Sequence, residues 1–509
     1  MAKKLNKKIV VILLVIVGLG GLGMGGLGLY YLRGRDPVYC LRKAEAALAN
    51  NDYKTAERYF GRACSVGKSN QEKIDNYFRF SEFQLMQNEN HEPDWPKALG
   101  CWSAILRIDP KHPVALRKLF DYFYEIADLG QPYWRQVQEY SEKLLETEKE
   151  KNLAVDPLIR LAHGRAVLEI ARSGGTTDRQ ELLDQAVSDF QKYIELKPSD
   201  FKGYEYLADC SLVQGDIEST RGNLQGRQAT RQKAAEVLEQ ALEMSEDKSS
   251  AWAAKIHFEL ETLTDPNRID SIRAEAENLT RTLPPNGRLY IALSATYEMT
   301  GGMNRAAELE KAAAAVRQAI ALEPDNVRYA IRLANLLHRL GSISQSLKEA
   351  DEALQIAENS LQLADAQDKP GPRQSYARAN QFGLLSLIAQ IQIERILDAP
   401  PSDRTTPEAK SRLDRVKSAS EKIAQIAGTQ ENPTVQKWQG LITLAEGQKD
   451  KAIRQLYKTY EQSKALDQPN QTSQVDSYLC YILAGEMAQQ NVFGMQKEFL
   501  EKAIFNRSS

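Results

Sequence analysis

The chain has 509 residues, too many for one compact core and suited to several domains or one elongated solenoid. Apolar residues make up 42%, enough for a continuous interior, and glycine and proline are not enriched, which argues against wholesale disorder. The net charge is −2, but residues 1–35 hold six basic residues and no acid, so the remainder carries 60 basic against 68 acidic residues. A mildly acidic body exerts no long-range pull on nucleic acid, and no nucleic-acid partner is expected.

Residues 1–8 are a basic N-terminal segment with Lys3, Lys4, Lys7 and Lys8. Ile9 to Leu32 then runs 24 residues without a charge. As a helix at about 1.5 Å per residue it reaches about 36 Å, enough to cross a hydrocarbon core of about 30 Å. The four lysines favour a cytoplasmic N-terminus and a body outside the cytoplasm, periplasmic if the source is bacterial. Arg33 and Arg35 pull the other way. A cleaved signal peptide is the competing reading, with Ile9–Val17 as its apolar region and Gly21-Leu22-Gly23 as a small-x-small site. The apolar run continues too far past that region, so a single-pass anchor is expected. Gly18, Gly21, Gly25 and Gly28 form one bare stripe containing a GxxxG match, which lets two membrane helices touch and implies a homo-oligomer. A glycine-rich stretch without a partner is the alternative.

After a short polar link at 33–37, helical hairpins are expected at once. A recurring ladder carries this expectation. Ala98, Trp102, Ile105 and Pro110 stand at relative positions 0, +4, +7 and +12. Ala186, Phe190, Tyr193, Pro198 and Ala312, Val316, Ala319, Pro324 repeat it, with shorter copies at Ala56, Phe60, Ala63 and Ala234, Leu238, Ala241. Offsets of four and seven share one helix face. Small residues there admit a second helix, the bulky one fills the groove beside it, and the proline is expected to start the next helix.

In chain order the hairpins are 39–50 with 53–64, 77–86 with 96–108, 114–129 with 133–149, and 157–172 with 179–196. Then come 204–213 with 229–244, separated by a polar insertion at 215–228 that reads as a loop or as an extension of both helices. Next are 251–262 with 270–283, 287–299 with 306–322, and 327–340 with 343–359. This array, 38–364, is followed by a loop at 365–374 holding Pro370-Gly371-Pro372. The C-terminal part, 375–509, has 375–397 with 408–427, 434–446 with 449–466, and 476–489 with 493–505. Phe499, Leu500, Ile504 and Phe505 leave an apolar terminal face for a partner or a fold-back to cover.

Ala312 and the equivalent Ser346 lie 34 residues apart. Leu333, Ala334, Leu337, Gly341, Ala350 and Ala353 fall at the small and apolar positions of a helix-turn-helix repeat, as do Gly440, Gly447, Ala452 and Leu456. The chain resembles the tetratricopeptide repeat (TPR) family over roughly 38–507. The resemblance implies an all-α, right-handed superhelical solenoid of about eleven hairpins whose first helices line a groove for peptides or helices of other proteins.

Two sets of residues are candidates for partner binding. Arg328, Arg332, Asn335 and Arg339 step along one face of a first helix, where arginine can grip a carboxylate with two parallel bonds. Members of the family that bind chaperones hold a C-terminal carboxylate in this way, although the full clamp is absent here. A solvated face paired to nearby acids is the alternative reading. The second set is aromatic. Residues 30–140 hold 19 of the 39 aromatics, more than one core face accepts, so a second packed surface is required. Tyr77, Phe120 and Tyr124 are its candidate anchors, if that surface is a partner groove rather than another hairpin.

Catalysis is not expected. The five histidines form no HExxH, and no phosphate loop, dinucleotide fingerprint or nucleophile elbow is present. The five cysteines, Cys40, Cys64, Cys101, Cys210 and Cys480, contain no CxxC and read as small core residues, with a Cys40–Cys64 bridge as the one pairing inside a hairpin. No metal or cofactor is implied. The expected function is a membrane-anchored scaffold that captures partner segments outside the cytoplasm, in assembly, secretion or folding of envelope proteins. The alternative is a cytosol-facing receptor for chaperones or precursor proteins.

Overall fold

The computed structural model describes residues 36–500, apart from 89–90, 152–153, 155, 174–177, 300–303, 345, 401, 467–476, 490–495 and 498. The expected anchor at 9–32, with Gly18, Gly21, Gly25 and Gly28, lies outside the described residues. Among the described residues no helix is long and apolar enough to cross a membrane. They contain no strand, only an isolated bridge between Asn88 and His91.

The described residues form twenty-one α-helices. The first eight are α1 Pro37–Ala49, α2 Tyr53–Val66, α3 Asn70–Gln84, α4 Trp95–Ile108, α5 Pro113–Asp128, α6 Trp134–Glu150, α7 Pro157–Arg172 and α8 Arg179–Leu196. Next are α9 Phe201–Thr220, α10 Leu224–Met244, α11 Lys248–Glu261, α12 Ile269–Thr282, α13 Gly287–Met299, α14 Arg305–Leu322, α15 Val327–Ser344 and α16 Leu347–Gln367. The last are α17 Gln374–Leu397, α18 Pro407–Ala427, α19 Pro433–Ala445, α20 Lys449–Leu466 and α21 Ser477–Gln489.

The helix starts are written in local chemistry. Asp36, Asp52, Asp94, Asp156, Asp200 and Asp247 each accept a hydrogen bond from a backbone N–H of the first turn they precede. This satisfies donors that have no partner inside the helix. Asp36-Pro37, Asp156-Pro157, Thr406-Pro407 and Asn432-Pro433 add a proline at a position where its missing N–H costs nothing.

The ladder residues are buried as read. Ala98, Trp102 and Ile105, Ala186, Phe190 and Tyr193, and Ala312, Val316 and Ala319 are each at most 5% exposed. The prolines, however, do not open the next helix. Pro110, Pro198 and Pro324 each sit three residues before it, just past the end of the helix that bears the ladder. The residue before each proline is steered out of the helical region, and Asp109, Lys197 and Glu323 have ψ of 95°, 66° and 72°. Their N–H groups still donate to Ile105, Tyr193 and Ala319, so the +7 residue closes the helix. The proline is therefore a stop signal.

Residues up to Lys197, together with Lys369–Arg373, form one compact unit; Pro198–Asp368 and the residues from Gln374 form another. In the first unit, clusters follow one another along the chain: Ala44, Ala56, Phe60 and Phe83; then Ile74, Ala98, Trp102, Ile105, Ala115 and Leu119; then Leu116, Phe120, Val137, Leu144, Ile159 and Ala162. No hairpin could bury its apolar face alone, and each is closed by the next.

The second unit repeats the pattern with an added contact. Each helix packs on its successor, and α9 also meets α11, α11 meets α13, α15 meets α17, and α17 meets α19. First helices of adjacent hairpins thus touch directly. The insertion at 215–228 is resolved as an extension of both helices, turned at Gly222 with φ of +75°. The turn expected near 341 lies later, because α15 runs on to Ser344 and α16 to Gln367. Phe499 of the terminal apolar face is 1% exposed and stands edge-on to Tyr460, while Leu500 remains 38% exposed. All five cysteines are buried, and Cys40 and Cys64 are not bridged.

Candidate functional site

Helix α15 does bring its basic residues to one face, but its arginines are engaged. Arg332 pairs with Glu298 of α13, and Arg339 Nη1 lies 2.8 Å from the other oxygen of the same carboxylate. Asn335 donates to the Ile331 carbonyl of its own helix at 2.9 Å, and the Arg328 guanidinium stands 4.9 Å from the Tyr376 ring centre on α17. A carboxylate of the chain itself thus meets two arginines of this face, in line with the alternative reading of a basic face paired to nearby acids. Glu298 lies 34 residues before Arg332, and only hairpin stacking brings the two together. Arg288 of α13 likewise pairs across to Glu205 of α9 at 2.5 Å, and His338 Nε2 is 3.3 Å from Glu394 of α17. These pairs are partly exposed. Each adds at most about 1 kcal/mol, and their larger effect is to lock charge positions along successive first helices.

Beside this face the second unit opens a cleft of about 790 Å³. Its walls come from the end of α15, the start of α16, the last turns of α17, the start of α18, and Tyr481 of α21. Gly341 makes the tight corner: a Cβ there would come within 3.1 Å of the Ala350 nitrogen and 3.2 Å of the Ser346 oxygen. Arg395 lines the cleft with Nη1 held 2.6 Å from Asp351, while its Nε and Nη2 are buried without a hydrogen-bond partner. Asp398 and Asp403 line the same cleft and have no ion-pair partner among the described residues. Partial burial and then the Glu394 charge raise the Asp398 carboxyl above its usual range, against the pull of Arg404. Charges of both signs around an open trough suit an extended polypeptide better than an apolar small molecule.

The aromatic candidates of the first unit are differently placed. Phe120 is fully buried between Leu116, Val137 and Ile159, so it is a core residue and not a surface anchor. Tyr124 is half-buried and stacks on Phe120 at 5.7 Å, and Tyr77 is half-buried against the cluster of Ile74 and Trp102. Phe123 meets Tyr122, Tyr133 and Tyr140. The excess aromatic surface of α5 is consumed by neighbouring helices, because α5 packs on α4 and α6 at once.

One polar group had no signal in the sequence pattern. Asp189 of α8 is 3% exposed, with Arg160 Nη1 at 2.8 Å and His163 Nδ1 at 2.6 Å, both from α7. Burial pushes its carboxyl up, but His163 and Arg160 outweigh this and hold it below the ordinary value. The trio is enclosed in the helix pair and offers no approach to a substrate. Among the described residues no three His, Cys, Asp or Glu side chains converge as metal ligands.

Residues 305–360, covering α14, α15 and part of α16, match the tetratricopeptide repeat model. No curated protein matches the chain. Among solved structures, a thermophilic TPR protein of Thermus thermophilus is 16% identical, covering 44% of this chain and 98% of its own, with a TM-score of 0.32. A tetratricopeptide repeat protein from Parabacteroides merdae is 13% identical, covering 59% and 98%, with a TM-score of 0.33. A human IFIT1 dimer with m7Gppp-AAAA is 11% identical, covering 85% and 91%, with a TM-score of 0.31. Scores of this size transfer neither ligand nor partner. The chain is an all-helical hairpin-repeat protein that carries a tetratricopeptide repeat, a module that generally serves as a scaffold for protein–protein interaction, and no catalytic family is indicated.

Proposed function

We propose that this protein is a non-catalytic, membrane-anchored scaffold whose second unit captures extended segments of partner proteins. The observation that carries the reading is the charged cleft at the ends of α15 and α17, with Arg395 and Arg412 on one side and the carboxylates of Asp398 and Asp403 on another. A segment with alternating acidic and basic side chains satisfies both. The uncharged run 9–32 supports an anchor, and the lysines before it support a body outside the cytoplasm, acting in assembly, secretion or folding of envelope proteins. Tethering raises the effective concentration of the scaffold against other membrane-held partners.

The test uses the full chain in sealed membrane vesicles. A photo-crosslinking amino acid at Tyr481, which lines the cleft and is 52% exposed, is compared with one at Leu224, which is 72% exposed and outside it. The expected result is a discrete protein adduct at 481 and none at 224, abolished by the double reversal Asp398→Lys and Asp403→Lys. Equal labelling at both sites, or an adduct indifferent to the reversal, overturns the cleft as the capture site. Protease applied from each side of the vesicles reports the side on which the body lies.

A further inference from the structure

The segment Lys369–Arg373 belongs to the first unit and is seated in an aromatic notch there. Trp95, at the start of α4, stacks on Tyr122 of α5 with ring centres 5.3 Å apart. The Trp95 indole N–H donates to the Pro370 carbonyl at 3.0 Å. Gly371 has φ of +150° and lies flat on the indole; a Cβ there would stand 3.2 Å from Nε1 and 3.6 Å from Cε2. Arg373 Nε then reaches Glu125 of α5 at 2.7 Å. Pro370, Gly371 and Pro372 are all half-buried or at the edge of the notch.

Each part has a physical reason. The indole N–H satisfies the carbonyl of the Pro370–Gly371 peptide, and Pro370 and Pro372 themselves bring no N–H that the notch would have to satisfy. Two prolines fix φ at 370 and 372 before the bent segment docks, which lowers the conformational entropy lost. Glycine alone lets the backbone touch the ring. The cation after the second proline meets a carboxylate that fixes the direction of the segment. Aromatic walls and an indole donor are the chemistry by which proline-bearing segments are read, and the acid adds a partner for the cation that follows.

We propose that Trp95, Tyr122 and Glu125 form a docking site for a bent proline-x-proline-cation segment of a partner protein, which the chain's own Lys369–Arg373 occupies in its absence. The internal segment acts as a built-in competitor at an effective concentration on the order of millimolar. A partner must therefore exceed it through affinity or through a second contact. The notch does not depend on the cleft of the second unit.

The experiment measures fluorescence anisotropy of a labelled peptide spanning residues 367–375 against the full-length chain in detergent. The background variant carries Pro370→Ser, Pro372→Ser and Arg373→Ser, which empties the notch without touching its walls. The expected result is saturable binding to this variant, at least tenfold weaker binding to the unaltered chain, and a further loss of about tenfold when Trp95→Phe removes the indole donor but keeps a ring. A peptide with Arg373→Glu is expected to bind several-fold more weakly, with rescue by Glu125→Arg. Absence of binding to a variant with undiminished helical circular dichroism overturns the proposal. So does equal affinity for the unaltered and emptied chains, because the peptide would then sit elsewhere.

Discussion

Gly164 measures how tightly one hairpin is closed. It lies inside α7, and a Cβ added there would stand 2.9 Å from Phe190 Cε1, 3.1 Å from Phe190 Cζ and 3.1 Å from Asp189 Cβ. Phe190 is fully buried and Asp189 is held by two partners, so neither has room to retreat. Alanine in place of a mid-helix glycine gains about 1 kcal/mol of helix propensity. Overpacking costs about 1–3 kcal/mol. Gly164→Ala is therefore expected to destabilise the α7–α8 pair by about 1 kcal/mol net, the middle of that difference. Gly100 is the control. It sits inside α4 with nothing within 4 Å of its added Cβ, so Gly100→Ala keeps the whole propensity gain. Native-state amide exchange followed by mass spectrometry reads both locally. About fivefold faster exchange is expected in α7 and α8 for the first variant, and about fivefold slower exchange in α4 for the second. If Gly164→Ala slows exchange as Gly100→Ala does, α7 and α8 are not in the close contact described, and the interlocking account of the hairpins fails with it.

Further expectations follow from the polar and thiol groups. Asp189 has a folded-state carboxyl held below its unfolded value, so its contribution to stability is present above about pH 4 and is lost as the pH falls through the lower folded value; the protection of α7 and α8 amides relative to their intrinsic exchange rates is expected to fall in acid, and Asp189→Asn to flatten that dependence while weakening the pair at neutral pH. Burial, with the neighbouring Cys101 adding to it for Cys64, pushes the Cys64 and Cys101 thiols to about 12; alkylation at about pH 8 is expected to leave both unmodified until denaturant is added, and rapid native labelling would contradict their burial. Glu298→Ala is expected to release Arg332 and Arg339 and to create salt-sensitive binding of a glutamate-rich peptide that the unaltered chain lacks, measured by anisotropy at two ionic strengths.

Much of the fold was legible because its signals are local. The 0, +4, +7 ladder, the aspartates before the helices and the prolines after them act within a few residues, so they read directly into helices and their hairpin order. Two local readings needed correction for equally local reasons. Pro110, Pro198 and Pro324 end one helix instead of opening another, since the restriction on the preceding residue acts first. The polar stretch 215–228 carries no apolar stripe, yet two long helices pair through it.

The sites were hardly legible, because they depend on residues far apart in the chain. Glu298 meets Arg332 and Arg339 only when one first helix is laid against the next, so which acid pairs with this basic face could not be read from spacing. Phe120 looked like one of several surplus aromatics until helices on both sides of α5 covered it. Trp95 and Pro370 are separated by 275 residues, a distance no periodicity spans. The amino-acid order alone settled the helices, their ends and their small-against-large faces, since those rest on backbone sterics and on side-chain spacing within a turn or two. The tertiary arrangement decided which charges are already spent, which rings are enclosed and which clefts stay open, since those follow from the juxtaposition of hairpins and not from any one of them.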